Sequence, residues 1–290
     1  VHTIPEEIEH HKSSYLAQNL QRGAIKSDVQ LKQCKQSNLI VCIGPRIFSE
    51  IYGKVNNSPL VTELKPGLSP ELMKMDRDAE KLKRVNVLFQ GRLEHLLLKG
   101  APLAFAATKR IRKDPAVRPY DRPYLVMRGF EEDLAEFEKQ CSAIGDDEGL
   151  KEFVQPRFFT TDKMSLSADM FSSSLLIMPS KNEGFGLVGL EAIASGMPVL
   201  LSANSGIAQL LSSDNAVSSA LNPKTVELSI CDVEGACEET VEIEWAKQMK
   251  VILSDRSSAF ARADQLRKDL SKVLSWQAAA RTFAADLSKL

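Results

Sequence analysis

Residues 174–205 read SLLIMPSKNEGFGLVGLEAIASGMPVLLSANS. The stretch predicts a strand, a loop, a helix over residues 187–195, a turn and a second strand. Within it, Gly184-Phe185-Gly186-Leu187-Val188-Gly189 matches G-x-G-x-x-G. That is formally the dinucleotide fingerprint, which needs its first Gly at the strand end and a carboxylate about 20 positions on. Here Ser180-Lys181-Asn182-Glu183 intervene, and the next strand ends in Ser202-Ala203-Asn204 without a carboxylate. The mismatch argues against a nicotinamide cofactor. What remains is a Gly-rich loop opening a helix, whose exposed N–H groups suit a phosphate. Glu183 precedes the glycines and Glu191 falls in the second turn of the helix. Beside an anion, a carboxylate needs hydrogen-bond donors, and sugar and ribose hydroxyls are such donors. Spacing alone leaves open the plainer reading, in which Glu183 favours the helix dipole and Glu191 faces solvent.

The pattern extends in both directions. Apolar runs at residues 39–44, 85–91, 124–129 and 154–158 alternate with helix-length stretches such as 131–143 and 207–212. Continuous apolar strands separated by amphipathic segments predict an α/β fold with a parallel sheet covered on both faces. Residues 243–253, 257–274 and 276–290 read as helices, with Ser275 as N-cap of the last. The Pro/Gly-containing stretch 58–70 is the expected domain boundary. After it, residues 72–84 are highly charged. Asp76-Arg77-Asp78 has the D-x-D form seen at metal–nucleotide sites, but the run reads as a solvated helix face, with Glu80 and Arg84 at i,i+4 spacing.

Composition narrows the class. The chain has 290 residues, 43% hydrophobic and 26% charged, with 37 basic and 38 acidic residues and a net charge of −1. Such a balance argues against a nucleic-acid partner. No stretch reaches the roughly 20 apolar residues that span a bilayer, and the start, Val1-His2-Thr3-Ile4-Pro5, has no leader character. The absence of an initial Met implies that this is not the native N-terminus. Cys34, Cys42, Cys141, Cys231 and Cys237 are odd in number and irregular in spacing, as expected of reduced thiols in the cytoplasm. His10 and His11, with Glu6 and Glu7, read as a solvated helix, so no metal site is expected.

Glu183-Gly184-Phe185-Gly186-Leu187-Val188-Gly189-Leu190-Glu191-Ala192, followed by Gly196 and Pro198-Val199, resembles the E-x7-E signature of retaining GT-B-fold glycosyltransferases, particularly family 4. Gly91-Arg92 followed by Lys99-Gly100 resembles the family's G-R…K-G element. The resemblance implies a GT-B fold, with one complete Rossmann-like donor lobe and a partial N-terminal lobe. It allots residues 1–62 to the N-terminal, acceptor-side lobe and 63–84 to the linker and charged helix. Residues 85–270 form the donor domain, and 271–290 a helix returning toward the first lobe. The opening strands of that first lobe would lie outside this sequence, as a missing half-domain.

The same resemblance implies the site. Arg92, Lys99 and the backbone of Gly184, Phe185, Gly186, Leu187 and Val188 would hold the donor diphosphate. Glu191 would take ribose hydroxyls and Glu183 sugar hydroxyls. Arg157 and Phe158 would touch the base, and His2 would approach the donor sugar. His95 is expected to be a helix-surface residue, and His2 read alone is a terminal residue without a role. The implied reaction is metal-independent sugar transfer, with retention, from a UDP- or GDP-type nucleotide sugar to an unknown acceptor; no further cofactor is implied. The competing readings are a catalytically inactive nucleotide-sugar-binding or interaction module, and a phosphorylase.

Overall fold

The computed structural model describes residues 16–55, 60–91, 96–130, 151–232 and 237–290. The chain begins with α1 (Leu16–Lys35), β1 (Leu39–Ile43), α2 (Gly44–Val55) and β2 (Leu60–Leu64). β1 and β2 pair in parallel as a two-stranded sheet. A larger unit follows: α3 (Pro70–Met73), β3 (Asn86–Gln90), α4 (Leu96–Lys99), α5 (Ala101–Lys113), β4 (Tyr124–Phe130), β5 (Val154–Phe158), α6 (Lys163–Phe171) and β6 (Leu175–Met178). It continues through α7 (Leu187–Ala194), β7 (Val199–Ser202), α8 (Gly206–Ser212), α9 (Asn215–Ser218), α10 (Pro223–Ser229), β8 (Ile230–Cys231), α11 (Glu238–Ser254), α12 (Arg256–Val273) and α13 (Trp276–Leu287). Its sheet has the order β5-β4-β3-β6-β7-β8, all parallel.

Two-sided burial explains the continuous apolar strands. Val87, Phe89, Leu125, Met127, Leu175 and Ile177 pack on one face against Phe105 of α5 and Trp245 and Met249 of α11. Leu88, Val126, Leu176, Met178, Val199 and Leu201 pack on the other, against Leu190 and Ile193 of α7 and Leu266 and Leu270 of α12. Alternate residues of each strand therefore feed two cores, each side chain contributing about 1.5–3 kcal/mol of burial. Local chemistry sets several helix starts: Asp162, Ser205 and Ser275 each accept backbone N–H bonds as N-caps of α6, α8 and α13. Cys34, Cys42 and Cys231 are buried free thiols and Cys237 is an exposed one, whereas Cys141 lies outside the described residues. Burial pushes the thiols of Cys42 and Cys231 up to about 11 and about 12.

The charged run after the linker departs from expectation. Residues 72–84 form no continuous helix: beyond the single turn of α3 there is only a 3₁₀ turn at Ala79–Lys81, begun by the Asp78 carboxylate accepting Glu80 N–H at 2.9 Å. Arg77 is half-buried. Its guanidinium donates to the carbonyls of Met170 and Ser173 at the end of α6 and lies over the rings of Phe171 and Phe260. Charge-assisted bonds to two carbonyls outweigh what a helical i,i+4 pair offers. Desolvation accordingly lowers the Arg77 pKa to about 10. The predicted helix over residues 131–143 lies outside the described residues.

The linker is tightly held. Pro66, Gly67 and Leu68 are buried. A Cβ on Gly67 would lie 2.2 Å from the backbone nitrogen of Trp276, so the linker and the start of α13 touch backbone to backbone. Farther along, α13 packs on β2, and Thr62 Oγ1 donates to the Asp286 carboxylate. Gly67→Ala is therefore expected to destabilise the chain by about 1–3 kcal/mol, through a clash that only backbone movement relieves. That lowers the melting temperature by roughly 2–4 °C per kcal/mol. An unchanged melting curve, with unchanged protease resistance of α13, would show that the two segments are not held together.

Candidate active site

The chain enters the larger sheet at β3, builds outward through β4 to β5, and then returns to place β6 on the other side of β3. The carboxyl ends of β3 and β6 thus flank a topological switch point, where open α/β sheets bind ligands. The turn after α4 is pressed into this gap. Lys181 N–H donates to Leu98 O at 2.9 Å. Gly100 has φ +76°, and a Cβ there would lie 2.0 Å from Pro179 O. Only glycine fits, and the fit carries Lys99 across the gap: its Nζ stands 2.6 Å from Glu183 Oε2, with both side chains about three-quarters buried or more (27% and 20% exposed).

The loop carrying Glu183 is held as a short parallel pairing with the segment before α8. Glu183 N–H donates to Asn204 O at 3.1 Å, Gly206 N–H to Glu183 O at 3.1 Å and Ile207 N–H to Phe185 O at 2.6 Å. Gly186 then takes φ +96° and begins α7. Among the described residues, no acceptor meets the backbone N–H groups of Gly184 to Val188. A row of open donors at a helix start is an anion cradle. Glu191 sits one turn in, half-buried, its carboxylate without a partner among the described residues. Burial alone pushes its pKa up.

The structure brings together Lys99, Glu183, Glu191 and the Gly184–Val188 backbone. It turns the Phe185 side chain away: the ring is 4% exposed and packs in the core, leaving only its backbone in the loop. Leu187 is exposed at the mouth. Arg157 and Phe158 lie on β5, three strand spacings or about 14 Å from β6. They share the sheet's carboxyl end but do not touch the loop. Arg157 Nη1 is 3.7 Å from buried Asp169, which is bound at 2.5 Å by Arg128 Nε, and Arg128 Nη1 donates to Phe158 O at 2.7 Å. His2, Arg92, His10, His11 and His95 lie outside the described residues. No group of three His, Cys, Asp or Glu residues arranged for a metal occurs among the described residues.

Sequence reasoning missed Arg46 and Asn204. Arg46, on α2, donates from Nη1 to Asn204 O at 2.7 Å, the same carbonyl that receives Glu183 N–H. The available signal was Gly44-Pro45-Arg46 directly after an apolar strand.

Comparison with known proteins agrees with this architecture. A family described as "Family 4 Glycosyltransferase in conflict systems" matches residues 1–283. A D-inositol 3-phosphate glycosyltransferase of Geodermatophilus obscurus is 32% identical over 126 residues, which cover 42% of this chain and 27% of that protein. Sucrose-phosphate synthase from Thermosynechococcus elongatus superposes with a TM-score of 0.73 at 19% identity, over 99% of this chain and 66% of the synthase. WaaG, a glycosyltransferase of lipopolysaccharide biosynthesis, gives 0.67 at 18% identity, over 99% of this chain and 72% of WaaG. The chain thus spans about two thirds of the synthase. At these identities the structural likeness is one of fold, the GT-B arrangement with its parallel α/β sheet. Among the described residues no helix is long and apolar enough to cross a membrane. Matched over nearly its whole length, the chain belongs to the family 4 glycosyltransferases of conflict systems.

Proposed function

We propose that the protein transfers a sugar from a nucleotide-sugar donor of the UDP or GDP type to an acceptor, with retention of configuration and without a metal. The observation that carries this reading is the Lys99–Glu183 pair at 2.6 Å, standing at the mouth of a loop whose N–H groups meet no acceptor among the described residues. The donor diphosphate lies on the Gly184–Val188 backbone and against Lys99, with Arg92 completing the clamp. Arg157 and Phe158 serve the base at the far end of the sheet, and His2 approaches the sugar.

The chemistry follows from charge. In the free protein Lys99 and Glu183 neutralise each other in a partly desolvated gap. An entering diphosphate is the stronger partner for Lys99 and releases Glu183 to accept hydrogen bonds from sugar hydroxyls. As the glycosidic bond breaks, negative charge grows on the leaving phosphates, where Lys99 and the helix N-terminus stabilise it. Positive charge grows at the anomeric carbon, where the Glu183 carboxylate stabilises it. Glu191 meets the ribose hydroxyls, donors that its half-buried carboxylate lacks among the described residues. Fixed dipoles and charges do the work, with little proton transfer by side chains.

Glu183→Ala is expected to lower donor turnover by about 10²-fold or more. Lys99→Ala should weaken UDP or GDP binding about tenfold or more, as loss of a charge-assisted contact does. Calorimetry and donor hydrolysis on one sample test both. Binding without hydrolysis or transfer would mark an inactive binding module, phosphate-dependent release of sugar 1-phosphate would mark a phosphorylase, and no binding would overturn the reading.

Glu191→Gln separates stability from function. Burial raises the folded pKa above the unfolded value of about 4.3, so the native state holds the extra proton and ionisation opposes folding as pH rises. The variant should therefore melt above wild type at pH 7, the gap closing toward pH 4. It should also bind nucleoside diphosphate more weakly. Equal melting at both pH values would contradict a costly, unpartnered carboxylate.

A further inference from the structure

We infer that Arg46, which lies on the small sheet's side of the cleft, is a positioning residue for Glu183 and couples the donor loop to the two-stranded sheet. This rests on the reading above, in which Glu183 contacts the donor sugar.

Two contacts grip Glu183 from both of its flanks. On one, Arg46 Nη1 donates to Asn204 O at 2.7 Å across 158 residues of sequence. Asn204 O also accepts Glu183 N–H at 3.1 Å. A carbonyl has two lone pairs. Here one is engaged from each side of the cleft, which fixes the direction of the bond holding the Glu183 backbone. On the other flank, the ring of Phe185 lies directly on Gly44. Gly44 has φ +79°, and a Cβ there would lie 2.3 Å from Phe185 Cδ2. Both gripping groups belong to the first turn of α2, and α2 packs along α8, whose first residues complete the pairing with the Glu183 loop. A shift of α2 relative to the larger sheet therefore displaces the Asn204 carbonyl and the Phe185 ring together. Glu183 lies between them, and its carboxylate is displaced with respect to Lys99. The diphosphate contacts do not depend on the Arg46 bond: Lys99 is held by Leu98 and Gly100 against residues 179–181, and the Phe185 ring seated on Gly44 still holds the Gly184–Val188 loop. Losing the Arg46 bond thus impairs the sugar contact while sparing the phosphate contacts.

Amide hydrogen exchange of the full 290-residue chain tests the coupling without requiring activity. Arg46→Ala should raise exchange at the Glu183, Gly206 and Ile207 amides about tenfold, while β3 and β4 amides stay unchanged. Arg46→Lys keeps the charge but not the planar fork and should fall between. Unchanged exchange at these three amides in both variants overturns the inference, as does a rise spread evenly over the β3 and β4 amides. The second readout uses UDP and GDP for affinity and UDP-glucose and GDP-mannose for turnover. Arg46→Ala should bind the nucleoside diphosphate within about twofold of wild type yet turn over the sugar donor about tenfold more slowly, with Arg46→Lys partly restoring turnover. An equal loss of affinity and turnover would reduce Arg46 to a general structural tie and overturn the inference. A wild-type chain that binds neither nucleotide overturns the donor reading instead, and the exchange arm still decides the coupling.

Discussion

The pairing of β3 with β6 is the constraint on which the rest of the structure depends. β3 enters first and two strands are added on one side before β6 docks on the other. The connections after β3 and β6 therefore diverge and leave a gap at the carboxyl ends. Lys99 and Glu183 are 84 residues apart in sequence and meet at 2.6 Å because each stands just past one of these two strands. Neither residue needs a special local conformation to reach the other. What needs special conformation is the close packing of the turns that carry them, where Gly100 is wedged against Pro179 and the Glu183 loop against the start of α8.

The site is poor in the interactions that stabilise the remainder of the lobe. The sheet is sealed by two apolar cores, and Arg77 shows how a charge is accommodated elsewhere: two carbonyls accept from it and two rings lie against it. Within a few residues of Glu183, by contrast, five consecutive N–H groups lack acceptors among the described residues, and Glu191 is half-buried without a donor among them. Groups left without a protein partner contribute little to folding. Their concentration at the switch point is what a site tuned to a polar, anionic, hydroxyl-rich ligand requires.

The larger sheet was legible in the sequence because its strands are buried on both faces, so residues such as Val87 to Phe89 and Leu175 to Met178 read as unbroken apolar runs. The E-x7-E segment was legible for a different reason: loop, helix start and both carboxylates lie within one stretch of chain. Arg46 and Asn204 were not, because their contact joins positions 158 apart and the Gly44-Pro45-Arg46 turn by itself names no partner. The run after the linker misled for the opposite reason. Glu80 and Arg84 have helical charge spacing, but local pair energies of a few tenths of a kcal/mol cannot compete with the carbonyls of Met170 and Ser173 that hold Arg77. The same limit applies to Phe185, whose place in the motif says nothing of its ring being turned toward Gly44.

The formal match to G-x-G-x-x-G then has a physical origin of its own. In the dinucleotide fold the third glycine allows close helix–strand packing. Gly189 does that here: a Cβ would come within 3.1 Å of Leu201 on β7. Gly186 is required by its left-handed backbone and by Met178, whose Cε would lie 2.8 Å from an added Cβ. Two of the three glycines therefore answer to packing of α7 on the sheet, a demand shared by any α/β unit that brings a helix N-terminus close to a strand end. The fingerprint's distinguishing residue is the distant carboxylate for the ribose, and its place at the end of β7 is taken by Ser202 and Asn204. The carboxylate that remains for that task, Glu191, is on the helix itself, one turn from the phosphate cradle. Moving the acid from the next strand to the first helix keeps the same anion-binding geometry but reads a ligand approaching along α7, with Glu183 and Lys99 at its reacting end.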